Sequence, residues 1–97
     1  MYTAIQARNI ANEKYNHDYY KLYRWYCRDI MKGITRAAQR GYVTFDFAAP
    51  TNKRMVRDVL NQIANELMQL GYQAMVRQEQ SDDGKHRYAA IDVTWAK

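Results

Sequence analysis

The chain has 97 residues, with 15 Lys and Arg against 10 Asp and Glu, a net charge of +5, 47% hydrophobic residues, one proline and one cysteine. That composition specifies one ordered domain with a single modest core and excludes a disordered chain. It also excludes an internal disulfide or a cysteine-based zinc site, and no run approaches the roughly 20 apolar residues needed to cross a bilayer.

The charge is unevenly placed. Residues 1–40 hold eight Lys and Arg against three acids, whereas residues 41–97 hold seven of each sign. Six of the nine tyrosines (Tyr2, Tyr15, Tyr19, Tyr20, Tyr23, Tyr26) and Trp25 share that first stretch. The opening MYTAIQARNIANEK lacks the apolar core of a signal peptide, and the single cysteine suits a reducing cytoplasm.

Thr3-Ala4-Ile5-Gln6 reads as a capping box that starts a helix. Helical spacing continues through Tyr19, Leu22, Tyr23, Tyr26, Ile30, Ile34 and Ala37, and Gly41 supplies a left-handed C-terminal cap. Tyr42–Phe47 alternates as a strand, with Val43, Phe45 and Phe47 on one face. After Pro50-Thr51-Asn52 a second helix carries the stripe Val56, Val59, Leu60, Ile63, Leu67 and Leu70, ended by Gly71. Tyr72–Gln78 and Tyr88–Trp95 form a hairpin. With Asp83-Gly84 as a two-residue turn, Val76 pairs with Ile91, Ala74 with Val93 and Tyr72 with Trp95. A slip of one residue would scramble both faces.

The element order α-β-α-β-β, with each strand apolar on one side only, specifies an α+β two-layer sandwich. Both helices cover one face of a three-stranded, mostly antiparallel sheet. The third strand, with Ala89, Ala90, Ile91 and Val93, is the most apolar, and the second, with Gln73, Arg77, Gln78 and Glu79 along or beside it, the most polar. Charge belongs at an edge, which favours the spatial order 1-3-2 over 1-2-3. Residues 1–97 form a single domain, divided into an N-terminal helical arm (1–18) and a compact core (19–97). A helix over residues 3–39 would span about 55 Å, against about 23 Å for seven-residue strands. Either it bends near Asn16-His17-Asp18 and folds back, or its first fifteen residues project.

The candidate sites follow from this layout. A projecting arm would expose Ile5, Ile10 and Tyr15; together with Tyr20 and Trp25 these are the candidate partner interface, for a second copy of the chain or another protein. Away from the core stripe, Lys21, Arg24, Trp25, Arg28, Lys32 and Arg36 make a basic strip with a central indole, able to neutralise phosphates and stack a base. No helix-turn-helix turn, RNP aromatic pattern or GxxG loop accompanies it. Thr51, Asn52, Lys53 and Arg54 open the second helix and are a weak candidate anion site, lacking a glycine-rich loop. Catalysis has little to draw on. His17 and His86 lie in helix and hairpin segments without a cluster of carboxylates, and Cys27 sits near Tyr23, Ile30 and Met31 as an inert thiol. With the third strand central, Asp46 and Asp92 would be neighbours on the open sheet face, with Arg77 a nearer partner for Asp92. No enzyme activity, metal or cofactor is expected.

The spacing Thr3-Ala4…Ala7-Arg8…Ala11, then Ile34…Ala37-Ala38…Gly41, Leu67…Leu70-Gly71-Tyr72 and Ile91…Trp95 resembles small phage-encoded proteins of unknown function. In these an N-terminal helix precedes a compact domain that ends in a Gly-Tyr strand, a hairpin and a strand closing on Trp. The likeness spans nearly the whole chain, though this sequence is more basic and richer in tyrosine. It implies a viral accessory or virion protein that works by binding, in the cytoplasm of an infected host cell or in the particle. The expectation is therefore a non-enzymatic interaction protein, homo-oligomeric or partner-bound through its long first helix as virion component or inhibitor of a host factor; the alternative is sequence-independent nucleic-acid binding through the basic strip.

Overall fold

A computed structural model describes residues 1 and 3–96; Tyr2, one of the tyrosines counted above, and Lys97 lie outside the described residues. The elements run α1 (Ala4–Gln39), β1 (Thr44–Ala48), α2 (Arg54–Gln69), β2 (Gln73–Gln80) and β3 (Arg87–Thr94). The sheet order is β1-β3-β2, antiparallel throughout. The apolar β3, with Ala89, Ala90, Ile91 and Val93 buried, is central and the polar β2 lies at an edge.

Helix α1 begins as its first residues dictate. The Gln6 amide N–H donates to Thr3 Oγ1 at 3.1 Å, and the Thr3 N–H donates back to Gln6 Oε1 at 2.9 Å. At the other end Gly41 adopts φ 85°, which lets the Tyr42 N–H reach the Ala37 carbonyl at 2.9 Å. Between these caps α1 is unbroken through Asn16-His17-Asp18, so the projecting alternative holds. Its 36 residues make a rod of about 54 Å. The radius of gyration is accordingly 16.3 Å, against about 12.5 Å for a compact domain of this length.

Both helices lie on one sheet face, α1 over β1 and α2 over β2 and β3. Tyr26, Ile30 and Ile34 of α1 meet Val56, Val59, Leu60, Ile63, Ala64 and Leu67 of α2 above Ala89, Ile91 and Val93 of β3. Each fully buried aliphatic side chain, such as Ile30, Leu60 or Ile91, contributes roughly 1.5–3 kcal/mol. Where α1 crosses β1 the approach is close. A Cβ added to Gly33 would fall inside the Phe45 ring, so glycine here makes room for an aromatic side chain.

The hairpin register is the one that the pattern of apolar pairs requires: Ala74 opposite Val93, Val76 opposite Ile91. Tyr72 and Trp95 extend it, with ring centroids 6.0 Å apart at near right angles. Three expectations need correction. The turn is wider than Asp83-Gly84. The Gly84 N–H bonds to the Ser81 carbonyl at 2.8 Å, placing Asp82-Asp83 at the centre of the bend and Gly84 after it at φ 72°. The Ser81 N–H meets the His86 carbonyl at 2.8 Å, so the loop keeps its midpoint and the register survives. Val43 does not share the buried face of Phe45 and Phe47. It precedes the ladder, is exposed, and offers only its carbonyl, to the Trp95 N–H at 2.9 Å. Leu70 is not part of the α2 core stripe. It is the C-cap, carried past the layer by the Gly71 turn, and is 71% exposed.

Candidate functional site

The side of α1 that points away from the core carries the strongest charge feature. At about 100° per residue, the core residues Tyr26, Ile30 and Ile34 centre on one direction, and Lys21, Arg24, Arg28 and Lys32 centre opposite it. His17, Tyr20, Lys21, Arg24, Trp25 and Arg28 line an open groove of about 430 Å³. Arg28, Met31, Lys32, Thr35, Arg36 and Gln39 continue it toward the helix end. From Lys21 to Arg36 the face runs about 22 Å. Trp25 is 55% exposed and Tyr20 is 61% exposed, one on each side of Lys21, Arg24 and Arg28.

None of these cations is ion-paired among the described residues; the ion pairs are Lys14–Asp18, Arg54–Asp58, Arg77–Glu79 and Arg77–Asp92. Arg24, Arg28, Lys32, Arg36 and Arg40 stand four apart, so each faces a like charge one turn on. Such pairs destabilise a helix by about 0.2–0.5 kcal/mol each, roughly 1–2 kcal/mol over the row. The acids in this part of α1 are Asp18, held by Lys14 at 3.1 Å, and Asp29, on the flank.

Comparison with known proteins adds no identification. A scan of family models, a search of curated proteins and a search of solved structures each found no match.

Of the interface candidates, Tyr15 is tied within the chain. Its hydroxyl donates to Asp58 Oδ2 at 3.2 Å. Tyr19 donates to Gln62 Oε1 and lies 3.4 Å from the Asp58 carbonyl, and Tyr23 donates to Glu66 Oε2. Gln62 Nε2 closes the network on Glu66 Oε1 at 3.2 Å. Three tyrosines four apart on α1 thus meet three polar residues four apart on α2, as two parallel helices in contact require. The bond to the Glu66 carboxylate, with burial second, pushes the Tyr23 hydroxyl far above the usual phenol range. Tyr19 and Tyr26 are raised first by burial, as is the Cys27 thiol. This ladder was missed by the reading of the core stripe, although its signal was present: matching four-residue periods of Tyr on one helix and Asp, Gln and Glu on the other.

Ile5 and Ile10 lie on the overhang, residues 4–14, which extends about 16 Å beyond the contact at Tyr15; they are 67% and 45% exposed. Five residues apart, they point about 140° from each other around the axis, so the arm has no apolar stripe. At the start of α2, Lys53 is an N-cap without a side-chain bond, and Arg54 leans on Asp58 at 3.8 Å. Thr51 receives the Ala89 N–H on its carbonyl at 3.1 Å, and Asn52 is half-buried. These four residues gather at one helix end, where part of the positive charge is already matched by Asp58. On the open sheet face Asp46 stands opposite Asp92, and Arg77 Nε donates to Asp92 Oδ2 at 2.7 Å. Burial, then the neighbouring Asp92, raises the Asp46 carboxyl, and Arg77 works against the shift. Among the described residues no three His, Cys, Asp or Glu side chains gather to hold a metal ion, and no helix is long and apolar enough to cross a membrane.

Proposed function

We propose that this chain is a non-enzymatic nucleic-acid-binding protein whose outer α1 face holds a phosphate backbone without regard to base sequence. The observation that carries the reading is the row Arg24, Arg28, Lys32 and Arg36, self-repelling and, among the described residues, without an ion-paired carboxylate. Solubility alone would be served by acids interleaved with the cations, and the groove has none. A polyanion turns the repulsion to use, because each phosphate neutralised releases condensed counterions. Rigidity helps as well. The cations ride on a capped helix packed on α2 and β1, so little backbone order is lost on binding.

The test is fluorescence anisotropy with a labelled 12-mer at about 50 mM salt. The triple charge reversal Arg24→Glu, Arg28→Glu and Lys32→Glu should weaken binding at least tenfold, with the melting temperature near that of the parent because all three side chains are exposed. Unchanged affinity in the triple variant would end the proposal.

A second reading, assembly with a copy of the chain or with another protein through the arm, draws on the exposed Ile5 and Ile10. Its support is thinner, since the arm is a capped continuation of a formed helix and propagation needs no partner. Light scattering across a concentration series discriminates: a dimer or larger species that reverts to monomer in Ile5→Asp/Ile10→Asp supports assembly.

A further inference from the structure

We infer that the nucleic acid held on this face is single-stranded, with one unpaired base stacked on Tyr20 and another on Trp25. This rests on the nucleic-acid reading above and specifies its substrate class. Tyr20 and Trp25 stand on opposite edges of the cation stripe, about 140° apart around α1 and about 7.5 Å apart along it. His17, Lys21, Arg24 and Arg28 lie between them in the same groove. A backbone following the cations therefore passes between two rings, and bases turned outward from it to either side meet a flat aromatic surface.

Among the described residues neither ring belongs to the core. The core positions of α1 are filled by Tyr26, Ile30 and Ile34, and Trp25 lies outside the core cluster. Among the described residues Trp25 stacks on no aromatic ring, while Tyr20 meets Tyr19 nearly perpendicular at 6.2 Å, which steadies its ring. Ring faces recognise the π-faces of unpaired bases whatever their identity. A duplex keeps those faces inside its stack, out of reach of Tyr20 and Trp25.

Three labelled 12-mers separate the contributions: single-stranded oligothymidine, a phosphodiester strand of the same length without bases, and a duplex. Oligothymidine should bind about tenfold or more tighter than the abasic strand. Trp25→Ala and Tyr20→Ala should each shrink that ratio while leaving abasic affinity unchanged, and Trp25→Phe should keep part of it. The charge-reversed triple variant should lower affinity for all three. Equal binding of oligothymidine and the abasic strand, or a ratio untouched by both alanine variants, overturns the stacking inference and leaves phosphate binding standing. A duplex bound more tightly than oligothymidine overturns the single-strand assignment. Absence of binding to all three removes both proposals.

Discussion

Replacing Gly33 by alanine asks whether the packing of α1 on β1 is as close as described. In an ordinary exposed helix position the change would stabilise the chain by about 1 kcal/mol. Gly33 has no positive φ to protect, so its backbone offers no objection. The obstacle is the Phe45 ring, in whose volume the new methyl group would lie. Either α1 lifts from β1 or Phe45 leaves its half-buried seat; overpacking of this kind costs about 1–3 kcal/mol. A lifted helix also loosens Ile30 and Ile34 above the sheet. Set against the propensity gain, the expected net loss is about 0–2 kcal/mol, a fall in melting temperature of up to roughly 10 °C for a chain of this size. Urea titration monitored by circular dichroism should show a lower midpoint at constant slope. The double variant Gly33→Ala/Phe45→Ala should be no less stable than Phe45→Ala alone, because the clash has gone; the cycle should return a coupling of about 1 kcal/mol or more. A Gly33→Ala protein that melts above the parent would refute the close approach.

The tyrosine ladder gives a pH prediction. Tyr23 is raised in the folded chain, so its contribution is fully present below the unfolded phenol value of about 10 and fades as pH climbs above it. Tyr23→Phe should lose about 1 kcal/mol at neutral pH and show a shallower alkaline decline; an identical decline in both proteins would contradict the bond to Glu66. Asp46 carries the same consequence for a carboxylate, in a lower pH range. Its raised value means that ionisation opposes folding at neutral pH. Asp46→Asn should therefore melt higher than the parent at pH 7, with the gain vanishing as pH falls toward the ordinary aspartate value of about 3.9. Calorimetry across that range checks it, and a destabilised Asn variant at pH 7 would contradict the cross-strand repulsion.

Much of the fold was legible because two kinds of pattern agreed. The alternation of Ala74, Val76, Ile91 and Val93 set the hairpin register, and the contrast between the polar β2 and the apolar β3 set which strand is central. The register survived a wrong turn assignment because a loop that widens evenly keeps its midpoint. Boundaries were less readable. Val43 and Leu70 continue an apolar rhythm in the sequence, yet each lies next to a glycine turn that carries it off the layer. The arm was foreseen as a projection, but its reach was set by Tyr15 on Asp58, a contact between residues 43 apart that no local pattern in α1 reveals. The outer basic strip was visible as composition. That its cations lack carboxylate neighbours depends on where α2 and the sheet place Asp58, Glu66, Glu79 and Asp92, and only the folded chain supplies that.

The most direct test of phosphate binding is the slope of log affinity against log salt for a single-stranded 12-mer, taken between about 50 and 200 mM. Lys21, Arg24, Arg28, Lys32 and Arg36 engaging one phosphate each give a slope near about −3.5, and the triple charge reversal should bring it toward about −1.4 or abolish binding. A slope indistinguishable from zero, or one unchanged by the reversal, would contradict a polyanion on the outer face of α1.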